Sequence, residues 1–136
     1  KFVASFIGTP AMNLLEGTLS QEDNVSYFNS PSSRLKLSDD MAKKCQEFMG
    51  QTVTFGIRPE KVMLHKGHDH DGLQGEIEVI EKLGGSQQVF IKIGEQSITA
   101  SVEAHFDVVA GEKVTIIPDI SRAHIFAGED GKNITL

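Results

Sequence analysis

Three imidazoles and two carboxylates fall within eight residues, His65-Lys66-Gly67-His68-Asp69-His70-Asp71-Gly72. Nitrogen and oxygen donors of this kind suit zinc or nickel. Closed metal sites draw ligands from separate elements. This is one polar run flanked by glycines, so it reads as a surface loop rather than a resident metal centre. His65, His68 and His70 stand as the candidate metal ligands, and no bound metal is expected. His105 and His124 are isolated and read as packed or surface residues.

Arg58-Pro59-Glu60 directly follows an apolar alternating segment. Proline cannot donate to a sheet ladder, so it marks a strand end or edge. A guanidinium on one side of a rigid residue and a carboxylate on the other can pair together, or Arg58 can fork onto a carboxylate elsewhere. The plainer reading is a turn brace. Arg58 and Glu60 are the candidate ligand-binding or regulatory pair, and Gly56, Pro59 and Gly84 are the residues that set local shape. Arg58, Ser86 or the backbone amides near Gly84-Gly85 would also serve an oxyanion.

Other chemistry is missing from the sequence. No Gly-x-x-x-x-Gly-Lys-Ser/Thr loop is present to cradle phosphates. Gly128-Glu129-Asp130-Gly131-Lys132 only resembles one: its glycines are too close, and Asn133 replaces the hydroxyl residue. There is no Gly-x-Ser-x-Gly elbow and no Cys-x-x-Cys. The single cysteine, Cys45, lies in an apolar stripe and reads as a small core residue. No catalytic residue is assigned, and the chain is read as a non-enzyme.

The elements that hold these residues are mostly strands. Phe2, Val3, Phe6 and Ile7 have helical spacing, with Gly8 as a stop. Pro10 then sends the chain out extended. Short strands are expected over Met12 to Leu19, Asn24 to Phe28 and Arg34 to Leu37. One helix follows: Ser38 caps it, Asp39 and Asp40 suit its dipole, and Met41, Cys45, Phe48 and Met49 form one stripe. Gly50 is placed to end it. Val53, Phe55 and Ile57 alternate with polar or small residues. Val62 to His65 is another short run. Ile77, Val79, Glu81 and Leu83 are expected to share one face, opposite Glu76, Glu78, Ile80 and Lys82. Val89, Ile91 and Ile93, then Ile98, Ala100 and Val102, continue the alternation, with turns at Gly84-Gly85-Ser86 and Gly94-Glu95. Val114 to Ile117 follows Gly111-Glu112. Short alternating runs with a turn every 8–12 residues predict an all-β sandwich or small closed barrel with one short helix.

With 136 residues, the chain suits one compact domain or two small intimate lobes. Net charge is −6, and no long run of lysines and arginines occurs, which disfavours nucleic acid as a partner. No apolar run approaches the ~20 residues that span a bilayer. No signal peptide is visible, and the opening Lys1-Phe2 without methionine reads as part of a longer protein.

Four segments carry a family resemblance. Phe2 to Asn13 (Phe-Val-Ala-Ser-Phe-Ile-Gly-Thr-Pro-Ala-Met-Asn) resembles the junction after the ATPase domain in ATP-binding subunits of sugar-importing ABC transporters. Phe55-Gly56-Ile57-Arg58-Pro59-Glu60 resembles that family's Gly-Ile-Arg-Pro-Glu segment. Gly75 to Gly84 resembles its central strand and turn, and Arg122-Ala123-His124-Ile125-Phe126 followed by Gly131 its closing strand. All four occur in the family's order, and they resemble the subunits of maltose-type and glycerol-3-phosphate-type importers. Two departures stand out. Ala127 replaces the family's frequent Asp, and the stretch from Gln21 to Gln51 matches poorly.

The resemblance implies a carboxy-terminal regulatory domain of the transport-associated OB type, an OB-like barrel of two interleaved β lobes. Residues 1–11 would be the linker from a nucleotide-binding domain outside this chain, and 12–136 the domain itself. Asn13 would tie the linker to the barrel through its amide. The implied role is non-catalytic: a homodimerisation and regulatory module that joins two ATPase halves and in some members binds a regulatory protein. ATP and magnesium would belong to the nucleotide-binding domain, which would also contact the membrane subunits. The implied location is peripheral, on the cytoplasmic side of the plasma membrane. Related domains in molybdate-type members bind oxyanions, which keeps a small-molecule sensor as the alternative, with a nucleic-acid-binding OB barrel ranked behind it.

Overall fold

A computed structural model describes residues 12–68, 71–128 and 131–135. The expected opening helix and the linker over 1–11 lie outside the described residues, as does His70. Among the described residues eleven strands form two sheets, and one short α-helix lies beside them.

The first sheet begins with β1 (Asn13–Glu22), β2 (Val25–Asn29) and β3 (Arg34–Lys36). Asp23 and Asn24 join β1 to β2 with φ of 52° and 65°, which gives a two-residue turn whose twist suits a hairpin. The strand expected from Asn24 therefore starts one residue later. Along β1, Leu15 and Leu19 point into the core with Gly17 between them. A Cβ at Gly17 would lie 2.2 Å from the Asn29 carbonyl oxygen and 2.7 Å from the Phe28 ring, so only glycine lets these strands approach. The Phe28 ring packs 5.1 Å from that of Phe55, and both are fully buried.

Ser38 caps α1 (Asp39–Lys44) by accepting from the Met41 amide at 3.3 Å. The helix is shorter than the Met41-to-Met49 stripe predicts. At Cys45 the amide is shared between the carbonyls of Met41 and Ala42, and the chain tightens into a 3-10 turn over Gln46–Phe48. β1 then captures the backbone: Gly50 N–H donates to Leu19 O at 2.7 Å, and Leu19 N–H to Gln51 O. The stripe still faces inward, with Met41 and Cys45 buried and Phe48 and Met49 packed against the core.

β4 (Thr52–Ile57) follows. It pairs with β1 on one side and with β10 (His124–Ala127) on the other, and β11 (Lys132–Asn133) pairs with β10. The order is β11-β10-β4-β1-β2-β3. The second sheet comprises β5 (Val62–Lys66), β6 (Leu73–Lys82), β7 (Ser86–Ile93), β8 (Gln96–Glu103) and β9 (Lys113–Pro118), in the order β5-β9-β6-β7-β8. The last strands thus return to the sheet made by the first ones, and the two lobes interleave. One cluster of buried side chains joins both sheets. The all-β, one-helix, OB-like reading is borne out.

β6 departs from its expected alternation. Ile77 faces Ile91, but Val79 faces Phe90 and Ile80 faces Val89, so Glu78 is an extra residue. A bulge of this kind reverses which side chains point inward. Ile77 is buried, while Val79 and Leu83, expected on the same face, are 56% and 52% exposed. Ile80 turns to the core instead.

Candidate functional site

The Arg58-Pro59-Glu60 segment lies where the chain passes from the first sheet to the second. Arg58 is extended and caps a 3-10 turn over Pro59–Lys61. Pro59 is buried, whereas Arg58 and Glu60 are exposed. Backbone bonds close the turn, Lys61 N–H to Arg58 O and Asp119 N–H to Lys61 O, each at 2.9 Å. Among the described residues neither Arg58 nor Glu60 forms an ion pair. Neither of the two pairings open to Arg58, with Glu60 or with a carboxylate elsewhere, is made among the described residues: the buried proline and the backbone bonds hold the turn, and both charged ends are exposed.

Glu60 instead lines a cavity of about 510 Å³ with Lys61, Met63, Ile117, Asp119 and Ile120. Asp119 caps the 3-10 turn Ile120–Arg122 through the Ser121 amide and hydroxyl. The Ser121 hydroxyl bond holds the Asp119 carboxyl below its ordinary pKa, opposed by partial desolvation and aided by the Ser121 amide and by Arg122 and Lys61.

A second cavity, of about 560 Å³, shares Val62 and Met63 with the first. Leu64, Val102 and Phe106 add apolar wall, and Ser86, Ser101 and Glu103 add polar rim. It opens between the edges of β5 and β8, which have no ladder between them. Met63 stands between the two cavities and is 62% exposed. Of the candidate oxyanion donors, Ser86 and Gly85 line the second cavity, and Arg58 lines neither.

Behind the second cavity lies Gln87, fully buried on the inward face of β7 with Val89, Ile91 and Ile93. Its Nε2 donates to the carbonyl oxygens of Glu103 and Phe106, at 2.9 and 2.6 Å. Its Oε1 has no hydrogen-bond partner among the described residues. A buried unpaired acceptor is costly. The two donated bonds tie the cavity wall after β8 to the barrel interior.

Asn13 makes a contact of unusual form. Its Nδ2 donates to Thr99 O at 2.7 Å, and its Oδ1 accepts from Thr99 N–H at 2.8 Å. Gln96 does the same in return: its Oε1 accepts from Glu16 N–H at 2.7 Å, and its Nε2 donates to Glu16 O at 2.9 Å. Two side-chain amides thus join β1 to β8.

Gly56 pairs with Leu14 and His124 in mid-sheet. An added Cβ there would lie 2.6 Å from the Met12 sulfur and 2.9 Å from the Phe126 ring. Gly84, with φ of 76°, forms the β6–β7 turn in a conformation that favours glycine. Of the histidines, His65 sits on β5, and His68 is exposed in the following loop with Nε2 3.1 Å from Gly75 O. No group of three or more metal-ligating side chains gathers among the described residues. His105 pairs with Glu103 at 2.9 Å on the surface, and His124 Nδ1 accepts from Asn133 Nδ2. Burial raises the Cys45 thiol pKa, in keeping with a core role. No helix among the described residues is long and apolar enough to cross a membrane.

Met63, Gln87 and Gln96 belong to no sequence motif. Gln87 has a signal: strand parity puts it on the apolar face, and a polar residue at an inward position points to a buried hydrogen-bonding role. Met63 and Gln96 carry none, since the surfaces they meet come from distant strands.

Two curled, interleaved sheets that share one buried core define an OB-type β domain. The chain belongs to the TOBE domain family, whose model matches residues 55–126, and the MalK OB fold domain model matches residues 8–62. The second match includes the Gln21-to-Gln51 stretch that the motif resemblance did not reach. The oligosaccharide-import ATP-binding protein MsmX of Bacillus subtilis is 29% identical over 94% of this chain and 36% of its own length. The trehalose/maltose-import ATP-binding protein MalK of Thermococcus litoralis is 30% identical over 98% of this chain and 37% of its own length. The multiple sugar-binding transport ATP-binding protein MsmK of Streptococcus mutans is 29% identical over 95% and 35%. The chain therefore spans about a third of the length of these relatives. Among solved structures, the molybdate-bound form of the cytoplasmic molybdate-binding protein ModG shares the fold, with a TM-score of 0.65 and 19% identity over 88% of this chain and 98% of that one.

Proposed function

We propose that this domain is the non-catalytic regulatory and dimerisation part of an ATP-binding subunit for carbohydrate import. The observation that carries the reading is the joint match of the two domain families over residues 8–126, with sugar-import ATP-binding proteins aligned over nearly the whole chain. In this reading two copies stay joined while the attached ATPase halves open and close, so each closure is effectively intramolecular. A regulatory protein acts by preferring one spacing of the halves. ATP and magnesium bind the attached nucleotide-binding domain, which meets the membrane subunits at the cytoplasmic face of the plasma membrane. The exposed groups of the Arg58-to-Met63 surface are where a partner would contact this domain.

The test compares the intact subunit with one cut before residue 12. The intact subunit is expected to sediment as a dimer without nucleotide, and the truncated one as a monomer that still hydrolyses ATP. An intact subunit that stays monomeric at high micromolar concentration would remove the dimerisation role.

The oxyanion-sensing alternative draws on the fold shared with the molybdate-binding protein. It predicts a molybdate-specific rise in melting temperature that sulfate and sugars do not reproduce.

A further inference from the structure

The two amide bridges between β1 and β8 are related. Asn13 grips Thr99 and Gln96 grips Glu16, so the two pairings run antiparallel, and on each strand the gripping and the gripped residue lie three apart. Each carboxamide takes both the N–H and the C=O of one residue, as a neighbouring strand residue would. β1 already spends its other edge on β4 over residues 13–18, and β8 spends its own on β7. The amides therefore stand in for a ladder between two edges that have no backbone pairing.

Position gives this pseudo-ladder a further property. Asn13 is the first residue of β1, where residues 1–11 lead into the fold. On β8 the gripped stretch, Gln96 to Thr99, runs straight into Ser101, Val102 and Glu103, which line the 560 Å³ cavity. An unbroken ladder to β7 joins Gln96 to Glu103, so the gripped stretch and the cavity wall belong to one continuous strand pair.

We propose that Asn13 and Gln96 form a two-rung latch that acts as one unit, passing displacement of the chain entering β1 to β8 and to the cavity wall. Either rung sets the strand separation that the other needs. Losing one lets the strands part and loosens its neighbour. If binding at the cavity moves β8, linkage requires that it also shift the conformation at Asn13.

Residue-resolved amide hydrogen exchange on this chain tests the latch, with rates corrected for global stability using Ile91 in the middle of the second sheet. Asn13→Leu removes the acceptor of the Thr99 amide, which should exchange at least tenfold faster. The informative amide is Glu16, whose own acceptor on Gln96 is untouched: the latch predicts at least fivefold faster exchange there. Gln96→Leu should act in reverse, on Glu16 directly and Thr99 indirectly, and either variant should shift the Val102 methyl resonances. If each variant affects only the amide it uncaps, the rungs are independent and the proposal is overturned. Should Asn13→Leu fail to fold, Asn13→Asp keeps the acceptor for Thr99 N–H and loses only the donor. It should still speed exchange at Glu16, and an unchanged Glu16 rate would refute the latch.

Discussion

Replacing Gln87 by Glu converts a buried donor into an acceptor with almost no change of shape. The carboxamide nitrogen now faces two carbonyl oxygens at 2.9 and 2.6 Å, and the residue is fully buried. In Gln87→Glu both donated bonds are lost, at about 1 kcal/mol each. An ionised carboxylate would also face two carbonyl dipoles without water, so its folded pKa rises well above the ordinary ~4.3. Each unit of that rise is about 1.4 kcal/mol, so a rise of two to three units adds about 3 kcal/mol at pH 7. The sign follows from the raised value. The variant is least penalised below the unfolded pKa, where the carboxyl is protonated and its O–H restores one bond. It loses stability as pH rises from there towards the folded pKa. Urea unfolding, with the parent chain as reference at each pH, should give a deficit of about 4 kcal/mol at pH 7 that shrinks to about 1 kcal/mol at pH 4. A deficit that does not vary with pH would show that the side chain escapes to water, and the account of Gln87 as an interior tie for the cavity wall would fail.

Three further outcomes follow from single contacts. Gly17→Ala places a Cβ against the Asn29 carbonyl and the Phe28 ring, and should lower stability by about 3 kcal/mol in urea melts, since a backbone atom cannot rotate away. Ser38→Ala removes the acceptor for the Met41 amide and should cost about 1 kcal/mol, with loss of protection confined to α1 and the 3-10 turn after it. Asp119 has a lowered carboxyl pKa, so its contribution is present above the unfolded value and lost as pH falls through the folded one. Asp119→Asn should therefore flatten the acid side of the stability profile, read as urea midpoints between pH 6 and pH 3, while leaving the neutral side nearly unchanged.

The strands were legible because alternation is a local property. Val53, Phe55 and Ile57, or Val89, Ile91 and Ile93, need only a pleated backbone to share a face. Turns were legible for the same reason. Glycine at 84 and 94 supplies positive φ wherever it occurs in the fold. Ser38 with two aspartates marked a helix start that depends on no distant partner. The β6 bulge was not legible, because it is a relation between two strands: Ile77 and Val79 look equivalent in sequence, and only the pairing with β7 makes Glu78 supernumerary.

The candidate site divides along the same line. Arg58, Pro59 and Glu60 were visible by residue type, and the proline did fix a turn. That neither charge finds an ion-pair partner among the described residues depends on where β9 and the Asp119 turn lie. Asn13 could be singled out as a tie, but Thr99 and the returning grip of Gln96 on Glu16 are 86 and 80 residues away in the chain. Residue order determined the strands, the turns and the helix cap, because each depends on neighbours a few positions off. Sheet order, the face exchanged at the bulge and the joining of β1 to β8 were decided by tertiary structure, since each depends on which edges meet after the chain has folded back on itself.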